Sequence, residues 1–445
     1  MILFNTFLKT AKQYPDNIAL VHHDRKLTYK ECLSLIDKLC LLLEDSQNYS
    51  ATICLPKNEY AILWQLALNK SKNVFTSVDA LTPSGRLLDI IDQNQSKWLI
   101  TAPDIDISLL NDFNIAFSCS EFILWNTLHS ARYKDVTHIY FSSGSMGKPK
   151  GIYLNDAPIP EVVLAQAEQL GVGSGSKFAW LLSPSFDASL SDIYLTLFSG
   201  ATLHICDFAQ NKVKTLRDYF FVNGITHSDI SPSVLPLLNI NDFPSLKGVI
   251  FGGEVGNELV IKKWSKHIKM FNAYGPTETT ICSSFKAVDD NWTSDNIGQP
   301  LPGVEYIISE DNELHIGGTH VCIGYNQESL NLAKFYEKDG QRLYKTGDLV
   351  KRVGDDYFFL GRKDRQFKHN GVLISPEEIE KTALKHGCKE ALCKKEEKFT
   401  LYYTGDLTAL ELRAKLSLSL NSNMLPVVIQ AVKELPKNIN GKVRI

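Results

Sequence analysis

The segment Tyr140–Ile152, YFSSGSMGKPKGI, places serines, glycines and lysines directly behind the apolar run HIYF. A glycine-rich turn after a strand lets several backbone N–H groups converge on one point, and hydroxyls with an ammonium complete a cradle for phosphate. It is not a Walker A loop, because Gly144 and Gly147 are too close and Pro149 follows Lys148 where that loop needs Ser or Thr. Taken alone it also reads as a surface loop, for which Gly, Ser, Pro and Lys are ordinary. Further acids sit in NAYGPTETT (272–280), YKTGD (344–348), SFDASLSDIY (185–194) and ITHSDIS (225–231). Glu278, Asp348, Asp187 and Asp229 each place a carboxylate, with two acceptor oxygens, in or beside a turn-like or helix-opening stretch. Each has a plainer reading: YGPTE as a Gly-Pro turn with a helix cap at Thr277, TGD as a turn, and Asp187 as an acid favoured by a helix dipole.

The elements that must position these groups follow an α/β punctuation. Strand-like ATICLP, helical YAILWQLALNKSK, strand-like NVFTSVD, helical SGRLLDIIDQNQ and strand-like KWLITA succeed one another. The pattern recurs in SKFAWLLS, LSDIYLTLFSG, ATLHICD, KTLRDYFFVNG, ITHSDIS and LKGVIFGGE, with several strands reading as buried on both faces. From about Asn312 short, turn-separated segments predict a β-rich subdomain. Ser375-Pro376-Glu377-Glu378 then opens a helix, with serine as the expected cap.

The 445 residues exceed what one core usually holds, so two or three domains are expected, with a boundary near Asp364 that divides 1–363 from 364–445. Hydrophobic residues at 44% and charged residues at 22% describe an ordinary globular chain. A net charge of −3 without a basic block implies no general nucleic-acid affinity and no membrane adhesion. The N-terminus MILFNTFLKTAKQYPD has neither a basic start nor a long apolar run, and no stretch reaches the length of a membrane span. Nine scattered cysteines, never spaced as CxxC, argue against zinc or a disulfide framework and for a reduced, cytoplasmic setting.

LTYKE (27–31), SSGSMGKPKG (142–151), NAYGPTETT, YKTGD, GRKDRQFKHNG (361–371) and NGK (440–442) occur in one order along nearly the whole chain. This ordered set resembles the adenylate-forming superfamily, and within it the stand-alone amino acid adenylation domains of nonribosomal peptide synthesis and the D-alanine–carrier protein ligases. The resemblance implies the acyl-adenylate synthetase fold, a large α/β N-terminal domain with a β-rich subdomain and a small α/β C-terminal lid. It implies ATP and Mg²⁺, attack of a carboxylate on the α-phosphate, and release of pyrophosphate. Ser142, Ser143, Gly144, Ser145, Gly147 and Lys150 would hold the departing phosphates, with Met146 standing where the family has a threonine. Gly253, Glu254, Asn272, Ala273, Tyr274 and Gly275 would border the nucleotide, Asn272 on the adenine amino group and Tyr274 stacked on the ring. Thr277 would touch the α-phosphate, Glu278 would ligate Mg²⁺, Asp348 and Arg362 would hold the nucleotide further, Asp364 would be the hinge, and Lys442 would reach the reacting carboxylate.

The same resemblance gives a substrate pocket of Asp187, Ala188, Ser191, Asp229, Ile250, Gly252, Ala273, Ile281 and Cys282, with Asp187 on an α-ammonium. Asp229 among small neighbours suits a basic or long polar amino acid such as ornithine, lysine or glutamine. Alternatively the pocket holds water, or a shift of one residue places Asp229 at the surface. Alanine, D-alanine or serine is the competing substrate, and an acyl- or aryl-CoA ligase the competing enzyme. A nucleotide-binding scaffold without catalysis draws on Met146, the altered 71–85 region and Asn312. With no segment beyond Lys442 to carry the product, a free-standing enzyme loading a separate phosphopantetheinylated carrier protein is expected.

Overall fold

The computed structural model describes residues 1–43, 46–104, 113–142, 149–208, 212–369 and 371–435. Two eight-stranded sheets dominate. In one, Trp98–Thr101, Ser50–Leu55, Val74–Asp79 and His138–Ser142 run parallel, with antiparallel strands at both margins. In the other, the parallel neighbours are Ile18–His22, Thr202–Ile205, Lys177–Trp180, His227–Asp229, Gly248–Gly252 and Lys269–Tyr274. Every residue of Ser50–Leu55 and Trp98–Thr101 is buried, as expected of parallel strands covered on both faces.

Helices Ile2–Gln13, Glu59–Lys70, Ile159–Leu170 and Ala188–Phe198 pack on one another, and one apolar cluster joins them to strands of both sheets. Glu59–Lys70 is buried almost all round, so its sequence is apolar on every side rather than striped. The LTYKE segment acquires a local reason: Thr28 caps the helix Tyr29–Leu41, and the Glu31 carboxylate accepts the Thr28 N–H at 2.7 Å.

A six-stranded antiparallel sheet follows, with its own apolar cluster around Tyr306, Leu314, Ile316 and Val350. Its first strands are Asn296–Gly298 and Val304–Ile308, so the β-rich part begins before Asn312, where the sequence texture changes. Short strands with mixed burial leave little periodicity to read. Asn312 itself sits at φ 64°, a left-handed turn position that asparagine tolerates, so it stands in for glycine there. Beyond it, the hairpin Phe367–His369/Val372–Ile374, the three strands Glu390–Lys395, Phe399–Thr404 and Val428–Ala431, and helices Pro376–Lys385 and Ala409–Ser417 surround a further cluster. Ser375 occupies the cap position of Pro376–Lys385, but its hydroxyl donates to Glu377 at 3.0 Å and makes no cap bond. The neighbouring carboxylate outcompetes the backbone.

Candidate active site

His227–Asp229, Gly248–Gly252 and Lys269–Tyr274 end side by side, and the crevice beyond their carboxyl ends is where open parallel sheets bind ligands. A cavity of about 1100 Å³ lies there, roofed by the hairpin of the C-terminal body. Asp187, Ala188, Ser191, Asp229, Ile250, Gly252, Ala273, Ile281 and Cys282, the whole expected substrate set, line it. So do Ser142, Lys150, Gly253, Gly275, Thr277, Glu278, Asp348, Arg362 and Asp364 of the expected nucleotide and hinge set. Ser143, Gly144, Ser145, Gly147 and Lys442 lie outside the described residues.

Three residues depart from expectation. Asn272 donates its side-chain amide to the Asn296 carbonyl at 3.1 Å and does not line the cavity. Tyr274 is buried beneath the cavity edge, its ring under the Lys368 ammonium at 5.7 Å. Both follow from strand alternation: Ala273 faces the cavity, so its neighbours on either side face away. Glu254 instead accepts the Ser233 N–H at 3.0 Å.

Asp187 occupies the cap position of the helix Ala188–Phe198 but makes no cap bond. Its carboxylate accepts the Thr277 hydroxyl at 3.1 Å and the Ile281 N–H at 3.2 Å. Thr280 and Ile281 both have positive φ, 55° and 66°, rare for β-branched residues, so Asp187 anchors a strained corner. Burial pushes the Asp187 carboxyl up to about 6 against these donors, with the Glu278 charge adding to the rise. Asp229 has no ion pair among the described residues, and burial pushes it up to about 7. Behind it Asp192 is raised further, by burial and by Asp229, with Lys57 opposing.

On the nucleotide side, Asp348 accepts the Tyr274 hydroxyl at 2.6 Å and pairs with Arg362 through its other oxygen. Arg362 also grips Asp364 through Nε and a second nitrogen, at 2.8 and 2.9 Å. Burial opposes the Arg362 charge, but Asp364 and Asp348 outweigh it and hold the guanidinium above its ordinary value. Glu278 Oε1 accepts both Lys150 at 3.1 Å and the Tyr325 hydroxyl at 2.6 Å. Burial raises its pKa, yet Lys150 and Tyr325 prevail and keep it below the usual range. Both contacts fall on Oε1, leaving Oε2 as an ionised hard oxygen, so the donor set fits a divalent cation such as Mg²⁺ held by Glu278. The Ser142 hydroxyl, buried without a partner among the described residues, fits a phosphate acceptor.

Sequence reasoning missed several groups. Gln166 accepts the Ser191 hydroxyl at 2.6 Å and donates to Cys282 Sγ at 3.3 Å, closing one pocket wall. Its only trace is a glutamine on the otherwise apolar buried face of the helix Ile159–Leu170. Lys57, which lines the cavity and donates to the Leu181 carbonyl at 3.0 Å, and Lys368 are isolated lysines in sequence.

Sheet crevice, buried acids and roofing hairpin define an adenylate-forming α/β enzyme. The model of the AMP-binding enzyme family matches residues 7–325, and the chain belongs to that family. It is 28% identical to bacitracin synthase 3 of Bacillus licheniformis over 98% of this chain and 7% of that protein. The chain spans less than half the length of the curated relatives it matches. The fold is shared with an artificially fused adenylation–PCP di-domain, NpsA-ThdA from Klebsiella oxytoca, at TM-score 0.84 and 21% identity over 96% of this chain and 93% of that one. It is shared equally with o-succinylbenzoate CoA synthetase (MenE) from Bacillus subtilis, at TM-score 0.81 and 20% identity over 99% and 97%. Among the described residues no helix is long and apolar enough to cross a membrane.

Proposed function

We propose that the chain activates an amino acid, whose carboxylate attacks the α-phosphate of ATP to give an aminoacyl-adenylate and pyrophosphate. The acyl group then passes to the phosphopantetheine thiol of a separate carrier protein, in keeping with the adenylation–PCP pairing of the NpsA-ThdA fusion. Asp187 carries this reading: a carboxylate inside the cavity, held by two neutral donors and without an ion pair among the described residues, is suited to an α-ammonium. A CoA ligase of the MenE kind has no need of such an acid.

Thr277 and Lys150 border the phosphate end, and Glu278 would hold Mg²⁺, which when bound neutralises charge on the departing pyrophosphate. Arg362 and Asp348 face the remainder of the nucleotide. Lys442 would supply the cation at the reacting carboxylate, and the C-terminal body would swing as a lid about Asp364. Nine free thiols suit a reducing cytoplasm.

The side chain we assign is basic or long and polar. Asp229 carries the assignment: a buried carboxyl lining the cavity, raised by burial, which a side-chain ammonium would draw into its ionised, paired form. Amino-acid-dependent ATP–pyrophosphate exchange across the common amino acids, ornithine, diaminobutyrate, β-alanine and D-alanine tests both levels. Exchange with ornithine or lysine, weakened by about 2 to 5 kcal/mol in Asp229→Asn, supports the assignment. Exchange confined to alanine or serine keeps the chemistry and discards Asp229 as its reader. Exchange only with acids lacking an amine removes the amino acid reading.

A further inference from the structure

Helix Ser84–Gln93 of the core and helix Pro376–Lys385 of the C-terminal body meet through Arg86 and Glu378, whose charged ends lie 2.9 Å apart. The side chains are 7% and 1% exposed. This ion pair joins a core helix to a C-terminal helix. Its neighbours on the same helix are held from elsewhere: Glu377 and Glu380 both pair with Arg365, in the segment that connects the two bodies. The helix is therefore gripped by its own connector on one side and by the core on the other.

Resting on the reading that the C-terminal body moves as a lid, we infer that Arg86 and Glu378 are positioning residues that latch it with the Phe367–Ile374 hairpin seated over the site. Seating is close: a Cβ on Gly253 would lie 3.2 Å from the Gly371 Cα, and Lys368 comes to rest above the Tyr274 ring. An ion pair suits a contact that must also part. Two apolar residues in its place would resist exposure to water when the lid lifts, whereas separated charges are well solvated. Losing either partner while the lid is seated removes a buried ion pair, and loss of the Glu378 carboxylate leaves the buried Arg86 charge uncompensated by it, which disfavours that orientation. Arg86 also lines the cavity, and the latch acts on the lid through the hairpin.

Hydrogen exchange of the full chain reads the latch without reference to substrate. In Arg86→Ala and in Glu378→Gln, amides of 367–374 should exchange about tenfold faster or more. Amides of Ser50–Leu55 in the core should keep their wild-type rates, which separates lid release from general unfolding. The exchanged pair Arg86→Glu with Glu378→Arg should recover at least part of the protection. Unchanged hairpin exchange in both single variants, or equal acceleration of the core strand, overturns the proposal. Pyrophosphate exchange with ornithine and lysine, run on the wild type, judges the proposed function separately, so either idea can fail alone.

Discussion

Asp187 and Asp229 face one cavity with raised pKa values, and a ligand cation would act on both. Each holds a proton in the folded, substrate-free protein to higher pH than in the unfolded chain. Between about 4 and 6 for Asp187, and up to about 7 for Asp229, the folded state binds more protons, so their contribution to stability falls as pH rises through those windows. An arriving ammonium favours the ionised carboxylate and must expel the proton below those values. Calorimetric titration at pH 5 in buffers of different ionisation enthalpy should show release of about one proton for the α-ammonium, about one more for ornithine or lysine through Asp229, and none from Asp187 for the matching acid without the α-amine. Binding independent of pH between 5 and 7 would remove the ammonium from Asp187. At this scale the sequence was most legible where a motif brings its residue to the cavity wall, as for Asp187, Glu278 and Asp348. It was least legible where partners are remote: Gln166 meets Cys282 across 116 residues and Arg86 meets Glu378 across 292, and no local pattern marks either.

The corner after Lys269–Tyr274 is built by close backbone approach. A Cβ on Gly275 would fall 2.6 Å from both the Cys282 Cα and the Ser283 nitrogen, whose N–H donates to the Tyr274 carbonyl at 2.8 Å. Gly275→Ala must push these strands apart, at a cost of about 1 to 3 kcal/mol. A lowered urea midpoint with loss of pyrophosphate exchange is the expected outcome; an unmoved midpoint would show that the corner yields freely. Strands and helices of the two large sheets were readable because buried parallel strands are continuous apolar runs and the helices between them are long. A motif names consecutive residues, but a strand gives alternate ones to each face, which removes Asn272 and Tyr274 from the cavity lining.

Across the whole molecule, the cavity is walled by the core sheets, the antiparallel sheet through Asp348 and the C-terminal hairpin through Lys368. A nucleotide held there binds only where all three are assembled. ATP at about a hundred times its dissociation constant should therefore add about 2.7 kcal/mol to the unfolding free energy, measured by denaturant titration with and without magnesium. The absence of any shift would separate the cavity from nucleotide binding. The assembly of three bodies was only partly visible in the sequence, since apolar clusters of the antiparallel sheet and the C-terminal body are small and their strands short. The facing glycines 253 and 371 carry a last consequence. Two backbones that touch without side chains form a bearing surface, smooth to sliding and intolerant of grit. A single methyl group at Gly253 would work as a shim, leaving every reacting group in the core where it stands while denying the hairpin its final seat.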